Sequence, residues 1–304
     1  MRLKLLCFLL FVSMFLGAKS QFLAVSDTFN YDRTRGIIFT ESLMLTGYLI
    51  GMNELWYKDY PRQSFQSFND NREWLQMDKV GHALSCYYVG WANYKVLRWA
   101  GIKKNPSIWI GGSLGLAALT MVEVLDGFSA GWGFSVGDMA ANVSGYALFG
   151  LQEQFWDEQR MVMKYSFHNS PYRRFRPNIL GTGGITNIIK DYNGQTHWLS
   201  VNPSSFMAKD SKFPDWLSLA VGYGASGMTG GHSNPIQLHS DGSPPIQFKR
   251  ERQWYFSPDI DLRKLNIKNP WLKLILGTVN FIKVPMPTLE LKAGNKLRFH
   301  PIYF

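Results

Sequence analysis

From residue 37 onward the chain carries long apolar stretches broken by short polar segments, and this texture changes near residue 165. Before that point the pattern predicts four helices. The first covers 37–57 and stops before Asp59, Tyr60 and Pro61, because proline cannot continue a helix. The polar and aromatic segment 61–76 reads as a loop or short helix. The second helix covers 78–100, with Asp78 as a possible cap and Gly101 as its stop. The third covers 107–125, opened by Ser107 after Pro106. The fourth covers 135–160, with Ser135 as its cap and Asp138 in its first turn.

Beyond residue 165 the apolar runs are short, and Gly, Pro, Asn, Ser and aromatic residues dominate. The segments 216–223, 253–262 and 297–304 read as strands. Residues 271–282 read as an apolar helix, and 226–247 as an exposed loop. Alternating segments are too few for a closed barrel, even though the chain ends on Phe304. The expected fold is therefore mainly α. A four-helix bundle-like part at 21–165 carries a smaller, β-rich mixed part at 166–304.

The first twenty residues have the grammar of a secretory signal. Arg2 and Lys4 precede an apolar run from Leu5 to Leu16, and Ala18 and Ser20 sit before a cut that would leave Gln21 first. The run is too short to span a bilayer comfortably. Cys7 lies inside it rather than after a cleavage box, so no acyl anchor is expected. Removing Arg2, Lys4 and Lys19 from the 32 basic residues leaves 29 against 22 acidic, a net charge of +7. A dispersed basic excess suits an anionic lipid or polysaccharide surface, and export argues against nucleic acid. Cys86 remains alone, so no intrachain disulfide can form.

Length alone leaves open whether the helices are buried in protein or in lipid. Glu41 interrupts the first, and Glu123 and Asp126 end the apolar run of the third, where carboxylates at membrane depth are costly. Gly111, Gly112, Gly115, Ala117 and Ala118 allow close helix contact in either medium.

Polar residues recur on these apolar helices at helical spacing. Asp78 and His82 share a face, with Lys79 three residues from His82. Glu123 and Asp126 are three apart. Asp138 and Asn142 step along one face from Ser135, and Gly145 continues that line. One reading is a site in which a histidine and carboxylates bind a divalent metal or act as general acid and base. The other is a buried polar network or a set of caps. Asn142-Val-Ser144 fits a sequon on a buried helix, and Gly181–Gly184 lacks the lysine of a phosphate loop. His168, His197, His232, His239 and His300 show no ligand spacing. The arginines 173, 174 and 176 suit a lipid headgroup or a solvated linker.

The ordered run Asp78-Lys79-Val80-Gly81-His82, Glu123-x-x-Asp126 and Ser135-x-x-Asp138-x-x-x-Asn142-x-x-Gly145 resembles the envelope family typified by the YfiM periplasmic lipoprotein. Its layout is also similar to VanZ-like membrane proteins, where Gln stands at the position of Asp126. The resemblance covers roughly 75–150. It implies an envelope location and sharpens the candidate site to Asp78, Lys79, His82, Glu123, Asp126, Asp138 and Asn142, without naming a reaction or cofactor. Two functions remain open. One is a membrane-associated scaffold or binding protein whose partner is a membrane lipid or another envelope component. The other is a hydrolase or transferase acting on an envelope lipid or wall precursor.

Overall fold

The computed structural model describes residues 20–208, 210–236, 246–292 and 296–304. The expected leader therefore lies outside the described residues, apart from Ser20. Within them the fold is mixed α/β rather than mainly α, with helices first and a six-stranded antiparallel sheet after.

Helix α1 spans Tyr31–Met52 and begins six residues earlier than its apolar pattern suggests, because Asn30 caps it through Arg33 N. Asn53–Tyr57 continue it as a π-helical turn. Helices α2 (Met77–Trp99), α3 (Lys104–Gly127) and α4 (Val136–Trp156) pack against one another, while α1 buries only Ile37. The packed helices thus form a trio with α1 at its side, not a regular bundle of four. Helix α3 starts before Pro106, which is tolerated in a first turn, and Ser107 bonds back to Lys103 O instead of capping. Helix α4 ends at Trp156, where Asp157 takes a left-handed conformation.

Gly145 fixes how closely α4 meets α2. A Cβ there would stand 2.1 Å from Ala83 O, so only glycine lets the two backbones approach this far. Tyr87, Trp91 and Phe149 make the core of the trio, joined by Met163 from the sheet.

The sheet is a meander of β1 (Met161–Phe167), β2 (Gln195–Val201), β3 (Leu217–Ser226), β4 (Glu251–Ile260), β5 (Met286–Lys292) and β6 (Lys296–Tyr303). Strands β3, β4 and β6 fall in the segments expected from sequence, whereas β1, β2 and β5 do not. Short helices α5 (Pro177–Leu180) and α6 (Ile185–Lys190) join β1 to β2. Helix α7 (Pro270–Val279) lies between β4 and β5 and agrees with the apolar segment at 271–282.

The sheet curls strongly. Four strand spacings separate β2 from β6, about 19 Å if the sheet were flat. Yet Tyr303 on β6 lies 6.0 Å from the Trp198 ring on β2, and its hydroxyl is 3.0 Å from Thr196 Oγ1. A parallel bridge between Tyr165 and Ile282 also ties β1 to the segment entering β5. The expected small appendage is instead a sheet curled most of the way round on itself.

Candidate functional site

A cavity of about 980 Å³ lies between α1, the helix trio and the α6–β2 region. Its floor is polar and its walls are largely aromatic and aliphatic, including Trp56, Trp74, Leu84, Ile188 and Phe281. Asp78, His82, Asp126 and Asp138 all line it.

Helical spacing and the Gly145 contact place the floor. Asp78 and His82 sit one turn apart on α2, with His82 Nε2 4.0 Å from Asp78 Oδ1. The other face of the ring meets α3 and α4, where Nδ1 lies 3.1 Å from Asn142 Oδ1 and 3.5 Å from Glu123 Oε1. Lys79 Nζ bridges Asp70 Oδ1 at 2.7 Å and Asp138 Oδ1 at 3.1 Å. Ser135 donates to Asp70 at 2.6 Å while capping α4 through Asp138 N. Asp78 is not a helix cap, because its carboxylate accepts a 2.6 Å hydrogen bond from Tyr192. Six of the seven residues singled out by sequence thus meet in one cluster. Asp126 stands apart, held by Tyr57 at 2.8 Å.

Crowded carboxylates in a half-dry site resist ionisation. Burial pushes Glu123 up to about 8, against the pull of His82. Burial likewise pushes Asp126 up to about 7, although the Tyr57 hydroxyl favours its charged form. Asp138 rises to about 7 through burial and its hydrogen bond with Asp70. Burial opposes charge on Asp70 too, but hydrogen bonds from Asp138, Lys79 and Ser135 outweigh it and hold that carboxyl low. A proton between the two aspartates therefore favours Asp138 over Asp70. Burial also opposes charge on His82, yet Asp78, Asp138 and Glu123 overcome it and raise the imidazole.

Asp78, His82 and Asp138 each offer one ligand atom, all within 4.8 Å of one another, a spacing that suits a divalent cation. Lys79 already neutralises part of Asp138, so a cation would have to share that carboxylate.

Sequence reasoning missed several groups. His197, from β2, lines the same cavity fully enclosed, with neither ring nitrogen hydrogen-bonded among the described residues. Burial lowers its pKa to about 4, so it is a neutral imidazole at the cavity wall. Glu73, Asp70 and Tyr192 also face the cavity. No periodicity links them to α2; only the tertiary fold does. His232 binds Glu73 at 3.1 Å and His300 binds Glu290 at 2.7 Å, while His239 lies outside the described residues. Asn142 is fully buried, which rules out use of its sequon. Arg173 and Arg176 are tied to Asn169 and to Thr229 O. Gly181–Gly184 form a turn closed on the Thr186 hydroxyl.

Part of the chain has a counterpart among known sequences. Residues 67–154 match the model of a family described as predicted periplasmic lipoprotein (DUF2279). The matched segment holds α2, α3 and nearly all of α4, and with them every candidate residue from Asp70 to Asn142. It covers less than a third of the chain and leaves out α1, the sheet and His197. It agrees with a periplasm-facing envelope location. No curated protein and no solved structure matches the chain.

Proposed function

We propose that this exported envelope protein is a hydrolase or transferase acting on an amphiphilic envelope substrate, a lipid or a lipid-linked wall precursor. One observation carries the reading. The polar cluster is not sealed between helices but forms the floor of a large cavity with apolar walls. A network that only locked helices together would gain nothing from opening onto such a space. Apolar walls suit a hydrocarbon chain, and the charged floor suits a polar end group.

His82 is the group best placed for proton transfer. Glu123 and Asn142 fix its Nδ1 side, which leaves the Nε2 side toward Asp78 and the cavity. The carboxylates around it raise the imidazole pKa against burial, which favours the protonated form that a general acid needs for a departing oxygen. In the other protonation state, with the imidazole neutral, Asp78, His82 and Asp138 would instead hold a divalent cation that polarises a phosphoryl or carbonyl oxygen and offsets repulsion between the carboxylates and an anionic head group, and His82 would then not serve as the acid. The paired half of the cluster, Lys79 with Asp70, Asp138 and Ser135, is the part that favours a binding or scaffold role, since all its members are already satisfied.

The test uses the full mature chain in detergent. Mixed micelles of phosphatidylglycerol, and separately of a polyprenyl diphosphate, are incubated with it with and without magnesium or zinc. Released head group, phosphate or fatty acid is followed by mass spectrometry. Wild type should release one product, and His82→Ala should lose roughly 100-fold or more, the usual contribution of a general acid. Saturable binding without turnover, unchanged in His82→Ala, would leave the scaffold reading in place.

A further inference from the structure

The sheet has its polarity turned inside out. Side chains alternate along every strand, so each strand gives one face to the inside of the curl and one to the outside. The inside holds ions and polar groups around an aromatic cluster of Trp198, Tyr255 and Tyr303. Lys164 Nζ lies 2.7 Å from Asp259 Oδ2, Ser200 donates to the same oxygen at 2.6 Å, and Lys283 approaches from 3.6 Å. Gln253 and His300 bind Glu290 at 2.7 Å each. Trp198 donates to Ser166 at 3.0 Å, and Thr196 meets Tyr303.

The outside is apolar. Following the register across the sheet, Leu199 pairs with Val221, Val221 with Phe256, Phe256 with Leu289, and Leu289 with Phe299. All five are exposed, Phe299 by 60%. The neighbouring row runs from Tyr223 to Trp254, Leu291 and Leu297, the last 67% exposed. No charged side chain interrupts either row over β3–β6. The helical part covers this outer face at β1 and β2, where Met163 joins the helical core and His197 closes the cavity, and at the end of β3, where Tyr223 and Ala225 pack against Met77, Trp74 and Leu75; from Val221 across β4 to β6 the face is bare.

A water-soluble sheet does the reverse, with ions outside and hydrocarbon within. Apolar positions facing out around a polar interior are the arrangement of strands surrounded by lipid. We propose that the outer face of β3–β6 lies against the acyl chains of a membrane. Curvature favours lipid over a protein occupant. The rows cross five and four strands of a sheet that bends back on itself, a convex surface that fluid chains cover all round and a single rigid partner covers only in part. Two helices expose apolar side chains as well. Exposed Phe39, Leu43, Met44 and Ile50 on α1 give a helix that is apolar with no core to enter, as do Leu272, Leu274 and Ile275 on α7. This inference rests on the sheet and not on the chemistry assigned to the cavity.

The experiment places an environment-sensitive fluorophore on single cysteines introduced at Val221, Phe256 or Leu289, with Cys86→Ser as background and Lys249→Cys as the control. The full mature chain is reconstituted into vesicles of phosphatidylethanolamine with a minority of phosphatidylglycerol. The three outer-face labels should shift to the blue, lose emission when a doxyl-labelled lipid is included, and resist aqueous iodide, while the control does the opposite. Outer-face labels that stay open to iodide in vesicles would overturn the proposal. So would labels shielded equally in lipid-free dimers and indifferent to doxyl lipid, since a second copy would then be the occupant.

Discussion

Two polar clusters lie inside this molecule, and they are built on opposite terms. In the sheet, Asp259 is met by Lys164, Lys283 and Ser200, and both lysines also donate to backbone carbonyls, Lys164 to Ile260 O at 2.8 Å and Lys283 to Pro258 O at 2.9 Å. None of these residues lines the cavity described above. Between the helices, carboxylates outnumber their cationic partners and the group faces a large space, so although each cluster holds a buried oxygen without a hydrogen bond among the described residues, Glu123 Oε1 here and Asp259 Oδ1 there, only this one has cavity beside it. The first arrangement holds a fold together. The second keeps proton-binding capacity in reserve, which is costly for a fold and useful to a reaction.

The difference is broken most forcefully at Asp259. Asp259→Ala leaves Lys164 and Lys283 buried without a carboxylate, and removal of one partner from a sealed pair costs about 3–5 kcal/mol. Urea unfolding of the full chain in detergent should show a loss of that order. Pairing the change with Lys164→Met should recover part of it, because one of the stranded charges then goes too. A loss under about 1 kcal/mol would mean that water reaches this cluster and that the contrast drawn with the helical one is false.

A middle-sized effect should appear in the pH dependence. Glu123, Asp126 and Asp138 have folded pKa values near 8, 7 and 7, while an unfolded chain releases such protons near 4. Between those values the folded state binds more protons than the unfolded one, so stability falls as pH rises. His82 acts with the same sign, since its raised pKa gives stability below about 6.5 that is lost as pH climbs through the folded value. Asp70 acts with the opposite sign, but its low carboxyl matters only in acid, below this window. The Tm should therefore drop from pH 5 to pH 8, less steeply in Asp138→Asn. A Tm that rises over the same range would show the carboxylates ionised and paired.

The two clusters also differ in how far the sequence announces them. Helical spacing foretells that Asp78 and His82 share a face, and that Asp138 and Asn142 share another. Gly145 then brings α4 onto α2, so a local pattern becomes a tertiary contact. The sheet cluster gives no such sign. Gln195–Val201 is not among the segments the sequence pattern assigns to strands, and Lys164, Asp259 and Glu290 read as surface residues by habit. Three strands are missed for that reason, and the inverted polarity with them. Tyr192 and His197 are equally silent, since they reach the cavity from a different part of the chain.

The smallest effect on stability should come from the residue with the largest effect on function. In a sealed network His82→Ala would strand a carboxylate and cost about as much as Asp259→Ala. Here the nearest carboxylate, Glu123, has a pKa pushed up to about 8 even with the imidazole beside it. Without that positive neighbour its carboxyl is still more readily protonated, and Asp78, the other carboxylate beside the ring, keeps its hydrogen bond from Tyr192 and faces the cavity. What is lost is the contact to Asn142 Oδ1, about 1 kcal/mol, and water from the cavity can replace it. Urea unfolding at pH 7 should place His82→Ala within about 1 kcal/mol of wild type, even where product release or lipid binding collapses. A loss as large as that of Asp259→Ala would make His82 a strut of the helix trio, and the open cluster would then be structural after all.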